Sequence, residues 1–329
     1  MAGSGAPNYV DWAIWSKLSM LGPGMGMGFP IGAGNVFWVD GFNGNDGWVG
    51  NRPDQPFATI TYALTQCVAD HNDYILVIDA WQEAAAVAIN KTRTHIIGLG
   101  NYLRPNQNHP FVMLNAVADH AIFTVTALSN NCEIAGFSFG GGATHGAIEN
   151  TGGIPMGLHI HDCEFGHQFA GNTPQDGINI ASNATNIRIE NCIFLGLDAG
   201  TKVDGTITRD GIHMACAGDP RSGVIRNNRF MGLGGGIGIN LSAPFEDGAW
   251  IVEDNYFFIP IVDALAAGWA ITLQANVAGC MVNNNFAMQT CDGTGNCPYR
   301  DLSTGVLATC KNGWGMNYSG QAVIAPVVA

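Results

Sequence analysis

Two short segments place an aspartate directly ahead of an apolar run, and they hold the best candidates for catalysis. Asp176 opens DGINIAS and Asp210 opens DGIHMAC, in which His213 follows three residues later. If these segments are neighbouring parallel strands, the two carboxylates stand about 5 Å apart, which is the separation that a retaining glycosidase uses. Because Asp-Gly is also a common bend signal, a structural role for these residues is the alternative.

A second group of residues, HIHDCEFGH, could bind a metal ion. It contains His159, His161, Asp162, Glu164 and His167. His159 and His161 point to the same face of a strand, because side chains alternate with a period of two, and paired imidazoles are common metal ligands. The alternative is that these side chains occupy surface positions on successive strands.

The stretch DGFNGNDG, which begins at Asp40, has the oxygen-rich spacing of a calcium loop. It lacks the glutamate that closes an EF-hand loop at the twelfth position. The same residues would serve as turns that lead into a helix near residues 57–70. The sequence therefore predicts no cofactor, and calcium at this loop remains the one alternative.

These groups lie within a repeat that must position them. One repeated segment ends in a phenylalanine: LHIHDCEF at Phe165, IRIENCIF at Phe194, GVIRNNRF at Phe230, WIVEDNYF at Phe257 and CMVNNNF at Phe286. A second segment alternates with the first and begins at Asp176, Asp210, Gly235, Gly268 and Thr304. Both segments alternate apolar and polar residues, as half-buried strands do.

The residues just before each phenylalanine predict how the repeats stack. The third residue before it is Asp162, Asn191, Asn227, Asp254 or Asn283, and the second is Cys163, Cys192, Asn228, Asn255 or Asn284. Asn and Asp tolerate the left-handed backbone of a bend, and stacked asparagines form amide ladders. The glycine ahead of the second segment would supply a positive φ. The pattern predicts coils stacked into a parallel β-helix with loops of variable length.

Composition excludes several classes of protein. The net charge of the 329 residues is −13, and the 13 lysines and arginines form no basic cluster, so we expect no nucleic-acid partner. No apolar run is long enough to cross a membrane, and we expect no signal peptide at the N-terminus. With 45 glycines and only 12% charged residues, the chain is not a helical protein.

The nine cysteines do not indicate a disulfide framework, since their number is odd. Four of them lie in apolar runs and are predicted to be small core residues: Cys132, Cys163, Cys192 and Cys216. Cys291 and Cys297 flank DGTGN, and a local disulfide between them stays open as an alternative.

The repeats IRIENCIF and VIRNNRF, after DGINI and DGIHM, resemble the right-handed parallel β-helix superfamily, often called pectin-lyase-like. FWVDGFNGNDGWVGNRPDQPFATITYAL is similar to the opening segment of such proteins, in which a helix caps the first coil. The resemblance, from about Asn35 to Cys310, implies an all-β, single-stranded right-handed parallel β-helix with an N-terminal capping helix. This superfold hosts many activities, and the motifs of pectate lyases and polygalacturonases are not found.

The first 34 residues contain LGPGMGMGFPIGAG, an apolar Gly/Met-rich stretch without periodicity. They resemble arms of tailed-phage virion proteins that pack on a neighbouring subunit. Three parts are expected: this assembly arm at 1–34, the β-helix at 35–310 and a C-terminal tail at 311–329.

The sequence therefore predicts a virion structural protein that decorates or cements a capsid or belongs to the tail. We expect it to assemble in the host cytoplasm as a homo-oligomer, most plausibly a trimer, with other virion proteins such as the major capsid protein as partners. One alternative is a carbohydrate-active enzyme, either a polysaccharide lyase or hydrolase or a tailspike depolymerase, that uses Asp176, Asp210 and His213. The other is a passive module that binds surface glycans.

Overall fold

The computed structural model describes residues 34–79, 82–100, 111–140, 142, 144–166, 174–182, 184–196, 209–215, 222–231, 237–242, 249–258, 269–275, 277–288, 298–303, 312–319, 322–323 and 327–328. Within these residues, 29 strands and one helix are present, and the strands form three sheets. Residues 1–33, which hold almost the whole predicted arm, lie outside the described part of the chain.

The strands are numbered in chain order. Sheet 1 pairs, in order, β1 (Val36–Asp40), β2 (Asp73–Asp79), β5 (Thr94–Gly98), β8 (Glu133–Ala135), β11 (His159–His161), β14 (Ile187–Glu190), β17 (Ser222–Arg226), β20 (Ala249–Glu253), β23 (Met281–Asn283) and β26 (Gly313–Trp314). Sheet 2 pairs β4 (Val87–Ile89), β7 (Phe123–Thr126), β10 (Ile148–Gly152), β13 (Ile178–Ile180), β16 (Ile212–Met214), β19 (Ile237–Leu241), β22 (Trp269–Leu273), β25 (Tyr299–Asp301) and β29 (Val327–Val328). Sheet 3 pairs β3 (Gln82–Glu83), β6 (Val112–Ala116), β9 (Phe137–Phe139), β12 (Glu164–Phe165), β15 (Ile193–Leu195), β18 (Arg229–Met231), β21 (Tyr256–Phe258), β24 (Phe286–Ala287), β27 (Tyr318–Ser319) and β28 (Ala322–Val323).

The order of these strands confirms the predicted parallel β-helix. From β2 to β27 the chain visits sheet 1, sheet 3 and sheet 2 in turn, and strands in each sheet pair with their counterparts one coil before and one coil after. Among the described strands every pairing is parallel except that of β27 with β28. Residues 311–329, expected as a tail, contribute four of these strands, so the stack extends beyond residue 310.

A column of phenylalanines fills the core behind sheet 3. Its rings belong to successive coils, with centroids 4.7–5.0 Å apart: Phe139, Phe165, Phe194, Phe230 and Phe257. Phe286, which ends the last copy of the repeat, does not continue this column. Phe286 is in register with Tyr256, and Ala287 takes the inner position beside Phe257. The strands keep their register, since Glu253 faces Asn283 and Phe257 faces Ala287. In CMVNNNF the bend is the second of three asparagines, so the phenylalanine stands one position before the inner one.

The bends confirm the predicted role of Asn and Asp and correct one position. Positive φ angles between 49° and 57° occur at Asp162, Asn191, Asn227, Asp254 and Asn284. Asn284, not Asn283, therefore occupies the left-handed bend of its coil. The ladder position that follows each bend is buried and holds Cys163, Cys192, Asn228, Asn255, Asn285 and Asn317, so Asn285 and not Asn284 belongs to the ladder.

The ladder asparagines bind one another along the axis. Asn228, Asn255 and Asn285 each donate a side-chain N–H to the Oδ1 of the next asparagine, at 2.9–3.0 Å. Each also donates to a backbone carbonyl of the preceding coil, at 2.9–3.0 Å. Because these amides lie out of reach of solvent, unpaired ones would destabilise the fold.

The glycines ahead of sheet 2 differ from the expectation. Gly177, Gly211 and Gly238 do not have positive φ angles. A Cβ on them would lie only 2.5–2.7 Å from a ring carbon of the phenylalanine column. The rings concerned are Phe194, Phe230 and Phe257. Glycine is required in the Asp-Gly motif because the backbone passes directly against the column.

The helix α1 (Ile60–Gln66) lies within the predicted capping segment and is shorter than the expected 57–70. Thr59 is its N-cap and accepts a hydrogen bond from the Tyr62 backbone N–H at 3.1 Å. Ile60 and Leu64 join the core of the β-helix, so the helix is part of the first coil.

Candidate functional site

The predicted catalytic residues do come together. Strands β13 and β16 pair with Ile178 opposite Ile212, so Asp176 and Asp210 lie one coil apart, as expected. Both side chains are buried rather than open to a substrate. Arg209 holds Asp176 through two hydrogen bonds, one from Nε at 2.8 Å and one from a terminal nitrogen.

Asp176 and Asp210 also accept hydrogen bonds from neighbouring backbone and side-chain groups. Asp176 also accepts from the backbone N–H of Asp210 at 3.1 Å. Asp210 in turn accepts from the Ile237 backbone N–H at 3.0 Å and from the Asn240 amide at 2.8 Å. Each aspartate therefore ties its own coil to the next one.

The pKa of Asp210 is governed by its burial and by the groups that bind it. Burial raises the pKa of Asp210, and the charge of Asp176 adds to the effect, while hydrogen bonds from Asn240 and Ile237 oppose it. His213 lies 2.9 Å from the Ser242 hydroxyl through Nε2 and 3.3 Å from Arg209 through Nδ1. A cation thus stands at the centre of the site, where a glycosidase needs room for a sugar and a water molecule.

A second polar cluster lies on the outer face of sheet 1, and Glu133 is at its centre. His95, Glu133 and His159 are directly opposite one another on three successive strands. Glu133 Oε2 lies 2.5 Å from His95 Nδ1, and Oε1 lies 2.7 Å from His161 Nε2. The rings of His159 and His161 are 4.2 Å apart, which confirms that they share a face.

The pKa values of this cluster follow from its contacts. Burial alone would raise the pKa of Glu133, but hydrogen bonds from His161 and His95 outweigh burial and hold it well below its usual range. Burial alone would lower the pKa of His161, but hydrogen bonds to Asp162 and Glu133 raise it to about 10. Burial lowers the pKa of His159, and the charges of His161 and Arg188 add to the effect.

Glu133 and His95 were not among the predicted ligands. They stand in the earlier coils, in EIAGFSF and THIIG, where the Asn-Phe signature of the repeat is weak or missing. The signal that could have found them is register: aligning Phe139 with Phe165 places Glu133 opposite His159. Glu164, which was predicted, is buried instead on sheet 3 and accepts from the Ser138 hydroxyl at 3.0 Å.

The loop that begins at Asp40 uses its oxygens to build turns and to start α1. Asp40 accepts from the backbone N–H groups of Phe42 and Asn43 at 2.9 and 3.0 Å. Asp46 accepts from the backbone N–H groups of Ala58 and Thr59 at 2.8 and 3.1 Å. These contacts give the loop a structural role, and calcium there stays an untested expectation.

The outer face of sheet 3 carries an apolar strip and an open groove of about 840 Å³. The strip consists of Met231, Tyr256, Phe258 and Met288, which are 37–46% exposed. Its first three residues line the groove together with Arg229, and bend residues such as Asn227 form a polar side. Aromatic, Met and Arg side chains are the types enriched in protein–protein interfaces.

A further apolar cluster lies on the outer face of sheet 1 at the first coils. Trp38, Tyr74 and Leu76 form it, apart from the main core, because they alternate along their strands with inward-facing residues. Gly34 and Asn35, where the arm ends, are bound to the same coils by hydrogen bonds to Asn72 and Asp73 at 2.9 and 2.6 Å.

Several predicted residues fall outside the described chain: His167, Cys216, Gly235, Gly268, Cys291, Cys297 and Thr304. Of the cysteines that were expected in the core, Cys132, Cys163 and Cys192 are buried free thiols. None of the helices in the described part of the chain is both long and apolar enough to cross a membrane.

Comparisons with known proteins add little to this geometry. No protein-family model matches the chain, and no curated protein sequence matches it. Among solved structures, it is similar to a rhamnogalacturonan lyase, with 13% identity, a TM-score of 0.39 and coverage of 86% of this chain and 87% of that chain. At that score the likeness carries no argument about activity, and function is argued from the residues.

Proposed function

We propose that the protein is a non-catalytic structural component of a virion, a capsid decoration or cement protein or a tail-associated protein, that assembles as a homo-oligomer. The observation that carries this proposal is the use made of the candidate catalytic groups. Asp176 and Asp210 are buried, and their oxygens bind Arg209, Asn240 and backbone N–H groups of the next coil. These hydrogen bonds and the ion pair join successive coils, so the two carboxylates serve the fold.

One surface supports assembly through subunit contacts. The strip of Met231, Tyr256, Phe258 and Met288 exposes apolar side chains of the kind that interfaces bury. The apolar cluster around Trp38 and Leu76, at the coils to which the apolar arm is joined, is already buried within the chain. A trimer would cover the strip with neighbouring copies of the chain.

The test compares the oligomeric state of four chains by light scattering after size exclusion: the full chain, a chain without residues 1–33, Phe258→Glu and the control Phe42→Glu. The deletion leaves Gly34 and its bond to Asn72 in place. We expect the full chain to be oligomeric and the deleted chain to be a monomer with an unchanged unfolding temperature. Phe258→Glu should weaken assembly, whereas Phe42→Glu, at an exposed phenylalanine of the first loop, should not.

A full-length chain that stays monomeric at micromolar concentration would refute the proposal. The groove on sheet 3 favours a second candidate function, the binding of a surface glycan, because aromatic side chains and hydrogen-bonding bend residues meet there. Glycan binding that is lost in Phe258→Glu while the oligomer persists would favour that second function.

A further inference from the structure

The cluster around Glu133 has the arrangement of a metal site. Glu133, His159 and His161 each offer a ligand atom, and these atoms lie within 4.8 Å of one another. In a tetrahedral zinc site with bonds of about 2.0 Å, ligand atoms are about 3.3 Å apart. Glu133 Oε1 and His161 Nε2 are already closer, at 2.7 Å, so small side-chain rotations bring the three to an ion.

The anchoring of the imidazoles supports the same conclusion. His161 directs Nδ1 to Asp162 at 2.8 Å and Nε2 to Glu133. His95 directs Nε2 to the Asn72 side-chain oxygen at 3.0 Å and Nδ1 to Glu133. Ligating histidines in proteins are held in this way, with the far nitrogen bound to a carboxylate or carbonyl oxygen.

His159 completes the set. Its Nε2 lies 3.2 Å from Glu190 Oε2, which leaves Nδ1 as the nitrogen to bind an ion. Glu190 is itself bound by Arg188 and Arg226, at 2.9 Å each, so it draws both guanidinium groups to its own carboxylate and offsets one of the two charges. The side chains of Glu133, His159 and His161 are 19–28% exposed, which admits an ion and limits competition by water.

The other three-donor group does not share these features. Asp176, Asp210 and His213 surround the guanidinium of Arg209, which binds both oxygens of Asp176 directly and holds a positive charge where an ion would lie. The oxygens of Glu133 are instead bound by imidazoles, which are themselves metal ligands. The contrast between the two groups separates a site from a mere accumulation of ligand types.

We propose that Glu133, His159 and His161 bind one divalent transition-metal ion, with zinc as the first choice, and that His95 positions Glu133 by binding its other oxygen. Imidazole and carboxylate donors suit Zn²⁺ and, in the same geometry, Co²⁺. The ion joins strands β8 and β11 and so clamps two successive coils. Binding of this ion does not depend on the proposed role in a virion.

The experiment uses the full chain, stripped with a chelator and titrated with Zn²⁺ by calorimetry, with Co²⁺ absorption as a second readout. We expect one Zn²⁺ per chain, a raised unfolding temperature and the visible bands of tetrahedral Co²⁺. His159→Ala and His161→Ala should each weaken binding at least about 100-fold. His213→Ala, from the group around Arg209, should bind as wild type does.

Asp162→Asn keeps the test valid if the alanine variants fail to fold. Asn is suited to the left-handed bend at this position, so the fold is kept while the anchor of His161 loses its charge. Binding should weaken about 10-fold to 100-fold. Absence of stoichiometric Zn²⁺ in wild type, or equal affinity in wild type and all variants, would overturn the proposal.

Discussion

At the scale of single residues, the molecule uses charged side chains to join coils. Asp176 has no exposed surface, and Arg209, which is partly exposed, closes over it. Register alone was enough to predict that Asp176 and Asp210 lie one coil apart. The pairing with Arg209 was not predicted, because register places Arg209 beside Asp210 but does not show that its long side chain turns back to Asp176 on the preceding coil.

A substitution at Asp176 distinguishes a tie between coils from an active site. Asp176→Asn should lower the free energy of unfolding by about 2–3 kcal/mol, since a buried charged pair with Arg209 is lost. Asp54→Asn is the matched control, because Asp54 pairs with Arg52 at 2.9 Å on the open surface and should change stability by less than about 1 kcal/mol. Urea unfolding measures both. A neutral or stabilising effect at Asp176 would instead indicate a strained active site.

At the scale of elements, one bend and one ladder residue define each coil. The periodic Asn-Phe signature was enough to predict the coils and the Asn and Asp bends between them. It was not enough at CMVNNNF, where any of three asparagines can adopt the left-handed conformation and only packing selects Asn284. The strands of the first coils, such as β2 and β5, were not predicted because they carry no such signature.

The ladder should be far more sensitive to substitution than the bends beside it. Asn255→Ala removes the partner of the Asn228 backbone N–H, of one Asn228 side-chain N–H and of the Ile225 carbonyl in the core. We expect a loss of about 3–5 kcal/mol in the free energy of unfolding. Asn227→Gly, at an exposed bend with φ of 57°, should cost about 1 kcal/mol or less. Similar effects from the two variants in chemical denaturation would show that the ladder is dispensable.

At the scale of the whole molecule, the chain is a rod with different outer faces. Ten strands in sheet 1, at about 4.8 Å each, give a length of roughly 45 Å. Sheet 1 presents the histidine cluster, sheet 2 the coil ties around Asp176, and sheet 3 the apolar strip. An oligomer built through the strip would leave the proposed metal site on a separate face.

The first coil should make the stability of the rod depend on pH. Burial raises the pKa of Glu83 to about 7, the charge of Asp46 adds to this, and the Ile60 backbone N–H opposes it. Because the folded pKa exceeds the unfolded value, Glu83 favours unfolding progressively as pH rises from about 4.5 to 7. Glu83→Gln should therefore match wild type at pH 4 and exceed its free energy of unfolding at pH 8 by at most about 3 kcal/mol. Denaturation curves at several pH values measure this, and an equal difference at all of them would contradict it.

The phenylalanine column also determines where such a chain can grow or shrink in evolution. From β12 to β21, each coil offers the same inner ring and the same left-handed bend, so a duplicated or deleted coil would meet matching neighbours on both sides. After Phe257 the inner position holds Ala287 and then Ser319, and a phenylalanine coil copied across that junction would press its ring against sites packed for small side chains. Descendants of this chain are therefore expected to differ in length by whole coils within this segment, while the terminal coils are inherited unchanged.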